Sequence, residues 1–152
     1  MPKQKKLDKV YINIAEGVST LSHCERKKVG CIIVSGNNIL SMGYNGTPTG
    51  MDNTCEHDNV SYWYVLHAES NAIAKVANSS NDCFGSTLYT TMSPCRECAK
   101  LIIQAGIQRV VYKELYRDCL AGETLQAMHL LEDCNIEVLK IKFSLYKLNT
   151  NK

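Results

Sequence analysis

His67-Ala68-Glu69 and, further along, Pro94-Cys95-Arg96-Glu97-Cys98 place an imidazole, two thiols and a carboxylate in one stretch of the chain. Zinc favours four-coordinate tetrahedral sites of Cys sulfur and His nitrogen, and sites that do chemistry keep one position for water. His67, Cys95 and Cys98 supply three ligands and leave that position open. Glu69, two residues past the imidazole, is placed to move protons for that water. A closed structural knuckle would need a second cysteine pair, and the chain has a single C-x-x-C.

The elements that must position these groups are predicted by spacing. After His67 the run Ala68, Ile73, Ala74, Val76 and Ala77 is apolar at helical intervals, so His67 opens a helix. Pro94 suits the first position of a second helix, where its missing N–H is not needed. Cys95 and Cys98, three apart, then share a face of its first turn. Two helix N-termini would converge on the metal, and their positive ends favour thiolate over thiol. The whole pattern, H-x-E…P-C-x-x-C, is the signature of zinc-dependent nucleobase deaminases.

At 152 residues the chain is read as one domain, 1–152, large enough to bury a core. With 45% hydrophobic and 21% charged residues it has the composition of a soluble globular protein, and a net charge of +2 gives no basic face for nucleic acid. Met1-Pro2-Lys3-Gln4-Lys5-Lys6 leads into no apolar signal core, and no run is long enough to cross a membrane. Eight cysteines could suggest disulfides, but a metal pair among them makes a reducing cytoplasm the simpler expectation.

Residues 7–21 carry Leu7, Val10, Tyr11, Ile14, Val18 and Leu21 at helical spacing and predict a packing helix. Beyond it, Lys27 and Lys28 read as a solvated loop, while Arg26 is assigned to an anionic substrate group because guanidinium matches phosphate geometry. Residues 29–34 read as a central strand, with Cys31 as a small buried hydrophobe. Residues 36–38 turn, and residues 39–43 return as the hairpin partner. The Gly- and Pro-rich stretch 43–50, GYNGTPTG, specifies a fixed loop whose Asn45 offers a donor and an acceptor. Cys24, Cys55 and His57, completed by His23 or another group, could hold a second, structural zinc; free thiols and surface histidines are the reading preferred. Residues 62–66 are expected to bury against the helix that follows. Strands at 87–92, 109–112 and 136–141 alternate with helices from Cys95 to Gly106 and from Glu123 to Asp133. His129 is expected on the surface or partly packed, Tyr116-Arg117-Asp118 on a loop, and residues 149–152 frayed. This order predicts a three-layer α/β/α fold on a mixed five-stranded sheet, its last three strands parallel.

Four blocks, Cys24-x-Arg26-x-x-Val29-Gly30-Cys31, residues 43–50, His67-Ala68-Glu69-x-Asn71-Ala72-Ile73 and Leu88-Tyr89-Thr90-Thr91-x-x-Pro94-Cys95-x-x-Cys98-Ala99-Lys100, together resemble the deoxycytidylate (dCMP) deaminase family. The likeness runs on through Gly106-Ile107-x-x-Val110-Val111-Tyr112. The zinc motif alone resembles the wider cytidine deaminase-like superfamily; the GYNG-x-P-x-G loop narrows it. The resemblance implies a cytidine deaminase-like fold, one catalytic Zn²⁺ per chain, and hydrolysis of dCMP to dUMP and ammonia, which feeds dTMP synthesis. It implies that Glu69 carries protons from water to the base, Asn45 holds the sugar 3′-hydroxyl, and the Ala68 backbone meets the base. Arg26, Ser93 and Tyr116 fall near the phosphate. It also implies a cytoplasmic homohexamer (in host cytoplasm if phage-encoded), activated by dCTP with Mg²⁺ and inhibited by dTTP, with Gly43, Tyr44 and Gly46 as effector contacts.

Three rivals stand beside this. A tRNA adenosine deaminase, or a cytosine deaminase acting within nucleic acid, would need a basic or aromatic platform for flanking nucleotides. A riboflavin-pathway deaminase would bring a reductase domain. An inactive, zinc-stabilised nucleotide sensor would have no use for Glu69.

Overall fold

The computed structural model describes residues 2–116 and 122–142. Arg117, Asp118 and residues 149–152 lie outside the described residues. Helix α1, Pro2–Ser19, starts before the predicted apolar stripe, because Lys3, Gln4, Lys5 and Lys6 are good helix formers that extend it. Its buried face is Asp8, Tyr11, Ile12, Ala15 and Val18, a period of three and four residues. Val10, Ile14 and Leu21 of the predicted stripe are instead exposed, and Leu21 falls past the helix end.

The main sheet has the order β2-β1-β5-β6-β7. Strand β1, Gly30–Ser35, pairs antiparallel with β2, Asn38–Tyr44, and with β5, Thr87–Met92. Strands β5, β6 (Arg109–Glu114) and β7 (Glu137–Lys140) run parallel. Helices α3, Arg96–Gln104, and α4, Glu123–Asp133, make the two crossovers that parallel pairing requires. Both faces of β1 and β5 are covered, which explains why their sequences are nearly continuous apolar runs. Cys31, Ile33 and Leu88 pack with residues of α3, α4 and a helix at 68–77; Ile32, Val34 and Tyr89 pack under α1. The mixed five-stranded sheet and three-layer architecture are as expected.

Helix α2, Ala68–Ala77, lies across β2. Gly43 makes that contact: a Cβ there would come within 2.4 Å of the Ala68 carbonyl oxygen and 2.6 Å of the Ala72 nitrogen. Only glycine lets the first turn of α2, which bears Glu69, approach the sheet this closely.

Between the 43–50 loop and α2 stands a small hairpin the periodicity did not predict, β3 (Glu56–His57) and β4 (Val60–Ser61). Asp58 and Asn59 turn it with φ of 48° and 62°. Both are left-handed, the conformation of the type I′ turn that Asn and Asp tolerate. Trp63 corrects another expectation: it is 92% exposed rather than buried against α2. Tyr62 and Tyr64 stack on each other at 5.2 Å, and Trp63 only touches Tyr64 edge-on from outside.

Candidate active site

The two helix starts meet as the spacing requires. His67 is the N-cap of α2 and Cys95 the N-cap of α3. Pro94 therefore precedes the cap instead of opening the helix, because the Cys95 sulfur takes the capping role by accepting from the Cys98 N–H at 3.4 Å. His67 Nδ1 stands 3.3 Å from Cys95 Sγ and 3.5 Å from Cys98 Sγ, and all three donor atoms lie within 4.8 Å of one another. Tetrahedral zinc, with bonds of about 2.3 Å to sulfur and about 2.0 Å to nitrogen, puts such a nitrogen and sulfur about 3.6 Å apart. The donor set and its spacing fit zinc.

The electrostatics agree. Hydrogen bonds from Cys98 and then His67 hold the Cys95 thiol down to about 4, the direction that favours thiolate. Cys98 is pushed the other way, by sharing a proton with Cys95 and then by burial. A dication against both would deprotonate the second thiol as well. The contact with Cys95 raises the His67 imidazole.

Glu69 is 4% exposed, in the first turn of α2. Burial pushes its carboxyl above the usual carboxylate range, which suits a group that must both take and give a proton. Its Oε1 accepts a hydrogen bond from Thr90 Oγ1 at 2.9 Å. Along the sequence Thr90 belongs to the block that runs into Pro94-Cys95 and has no role assigned there; its further signal is a hydroxyl on the strand face that Leu88 otherwise gives to the core.

Asn45 is fixed on both sides. Its Oδ1 accepts from the Val29 N–H at 2.8 Å and its Nδ2 donates to the Lys27 carbonyl at 2.7 Å, so the carboxamide fastens the 22–28 loop. One N–H and one lone pair remain for a ligand. The loop after β2 is bridged to Leu66 through Gly46, and Asn71 Nδ2 donates to the Tyr44 carbonyl at 3.0 Å. Ser93 and Tyr116 come together as well: the Tyr116 N–H donates to Ser93 Oγ at 2.8 Å. Arg26 is exposed and reaches Ser61 Oγ at 3.3 Å on the β3–β4 hairpin, while its backbone N–H and that of Glu25 donate to the Glu56 carboxylate.

A cavity of about 350 Å³ lies beside the same loop, lined by His23, Tyr44, Asn45, Gly46, Asn71 and Lys75 among others. It does not include His67, Cys95 or Cys98.

The second cysteine group differs from both sequence readings. Cys24 and Cys55 form a disulfide, with Cα atoms 5.2 Å apart, so they are not free thiols. Bonded sulfurs offer no thiolate to a metal. His57 does not join them; its ring faces Asp58 at 3.3 Å, largely in solvent, and Glu56 takes its place near the pair. The two loops meet where the Glu25 and Arg26 N–H groups donate to the Glu56 carboxylate, a convergence that spacing along the chain does not reveal.

Among the described residues no helix is long and apolar enough to cross a membrane. A family model described as the cytidine and deoxycytidylate deaminase zinc-binding region matches residues 5–114. The chain is similar to the deoxycytidylate deaminase of Enterobacteria phage T4, 31% identical over 181 residues, with 91% of this chain and 92% of that one covered. It is also similar to the deoxycytidylate deaminase of Mycobacterium phage D29, 34% identical, with 69% and 92% covered. The crystal structure of dCMP deaminase from cyanophage S-TIM5 in complex with dCMP and dUMP superposes with a TM-score of 0.83 at 40% identity, over 90% of this chain and 97% of that one. The chain therefore belongs to the deoxycytidylate deaminase family of zinc-binding deaminases.

Proposed function

We propose that the chain, acting over 1–152 as one deaminase domain, hydrolyses dCMP to dUMP and ammonia and so supplies dUMP for dTMP synthesis. The observation that carries this is the gathering of His67, Cys95 and Cys98 with a buried carboxylate, Glu69, on the same helix start. The likeness to a dCMP deaminase solved with dCMP and dUMP supports the substrate.

His67, Cys95 and Cys98 would hold Zn²⁺, which when bound supplies the Lewis acidity that makes water nucleophilic near neutral pH. Glu69 takes a proton from the water that attacks C4 of the ring and delivers it to N3. It then carries a proton to the exocyclic amine, which leaves as ammonia. The Ala68 backbone meets the base, and the unused N–H and lone pair of Asn45 hold the sugar 3′-hydroxyl. Ser93, Tyr116 and Arg26 face the phosphate; the bond between Ser93 and Tyr116 supports treating them as one unit. Glu69→Gln is expected to keep zinc and fold while turnover falls about 10²–10⁴-fold, the weight of one acid–base group. Undiminished turnover in that variant would remove the assignment.

Regulation is part of the same reading. The chain works as a cytoplasmic homohexamer, activated by dCTP with Mg²⁺ and inhibited by dTTP. The cavity bordered by Tyr44, Gly46 and Lys75 supports the effector contact, with Lys75 as its cation. Gly43, an effector contact with Tyr44 and Gly46, also lets α2 pack closely on β2. Rate and sedimentation with and without each nucleotide test this; no response to either would reject it.

A further inference from the structure

Thr90 lies at the middle of β5, the central strand of the sheet, and has no solvent exposure. Strand alternation puts it on the face of Leu88, toward α2 and α3. Valine would fill the same space and suits a strand as well. A buried hydroxyl costs free energy unless its hydrogen bonds are met, so packing alone does not account for this one.

Its bonds lead to the site. Thr90 Oγ1 is 2.9 Å from Glu69 Oε1 and 2.9 Å from the Met92 carbonyl oxygen, with the Met92 N–H approaching at 3.5 Å. A hydroxyl has one proton to give. Given to Glu69, it ties the carboxylate to the central strand of the sheet. Met92 ends β5 and runs through Ser93 and Pro94 into Cys95. The hydroxyl thus stands where α2, bearing His67 and Glu69, meets the corner bearing Cys95 and Cys98.

We propose that Thr90 is a positioning residue for deamination, holding the Glu69 carboxylate in the rotamer from which it transfers protons. The inference rests on the reading of Glu69 as proton carrier. A glutamate side chain has three rotatable bonds, and the helix backbone restricts mainly the first. Without the Thr90 bond, the carboxylate spreads over several rotamers and the transferring geometry becomes a fraction of the population. Substrate binding does not need that geometry, so the loss falls on kcat and not on KM.

The test compares Thr90→Val, Thr90→Ser and Glu69→Gln in the full zinc-loaded chain. It follows kcat and KM for dCMP, zinc content, Tm and the calorimetric Kd for dUMP. Thr90→Val is expected to keep zinc and dUMP affinity while kcat falls about 10–100-fold, the weight of a hydrogen bond to a charged group. KM stays within about twofold, and Thr90→Ser, which keeps the hydroxyl, recovers kcat to within about threefold of the parent. An unchanged kcat in Thr90→Val, with Glu69→Gln inactive, would overturn the positioning role and leave the proton-carrier reading intact. Loss of zinc or of dUMP affinity in both Thr90 variants alike would also overturn it, making Thr90 a packing residue. An active Glu69→Gln would remove the proton-carrier reading and this inference with it.

Discussion

Gly46 and Leu66 exchange backbone hydrogen bonds in both directions, Gly46 N–H to Leu66 O at 3.1 Å and Leu66 N–H to Gly46 O at 2.8 Å. Each is the chain neighbour of a site residue, so the bridge holds Asn45 beside His67. The Asn45 carboxamide in turn fastens the backbone at Lys27 and Val29. Three segments far apart in sequence are thereby fastened to one another beside His67.

Asn45→Ala removes both of those carboxamide bonds and any contact with the sugar. It is expected to lower stability by about 1–3 kcal/mol, the cost of leaving partly buried backbone groups unmet. KM for dCMP should rise more than kcat falls. Thermal unfolding and steady-state kinetics read the two effects separately; an unchanged KM would place Asn45 in the scaffold alone.

Asp8 and Arg109, on α1 and β6, join the other end of the sheet. Both terminal guanidinium nitrogens donate to Asp8 at 2.7 Å, and Tyr89 Oη donates to the same carboxylate. Burial alone would raise the Asp8 carboxyl, but the bonds from Arg109, Gln4 and Tyr89 outweigh it and leave the group below its usual 3.8. A depressed folded-state value means that the pair's stabilisation is fully present above 3.8 and is lost as pH falls through the folded value. Chemical denaturation at neutral pH and at successive steps below pH 4 should show that loss. Arg109→Met strands a buried carboxylate and should cost about 3–5 kcal/mol at pH 7. A smaller penalty for Arg109→Met at low pH than at pH 7 is the expected signature; equal penalties would contradict it.

Gly43→Ala places a methyl against the Ala68 carbonyl and the Ala72 nitrogen, where backbone cannot move aside cheaply. Overpacking of this kind costs about 1–3 kcal/mol. Because the displaced turn bears Glu69, activity should fall together with Tm. Differential scanning calorimetry and a dCMP assay on the same preparation check both; full activity at a lowered Tm would show that α2 shifts without disturbing the site.

Much of this was legible along the chain because it is local. Glu123–Asp133 and Thr87–Met92 declare themselves by period and composition, and H-x-E with C-x-x-C puts the metal donors at helix starts. What was not legible depends on contacts between distant segments. Thr90 reaches Glu69 only once β5 lies under α2, and Asp8 finds Arg109 across 101 positions of chain. The α1 stripe misled because Val10 and Ile14 share its apolar character but not its buried face. Cys24 and Cys55 read as free thiols since nothing local shows that the Glu56 carboxylate gathers the backbone next to Cys24. Trp63 looked like core by type, yet stands outside Tyr64.

The most direct test is the loss of cytosine absorbance with purified, zinc-loaded protein given dCMP, CMP, deoxycytidine or a short cytosine-containing single strand. The prediction is conversion of dCMP to dUMP in clear preference to the other three, abolished by chelation and restored by Zn²⁺. Turnover confined to the strand, or none on any of the four, would contradict it.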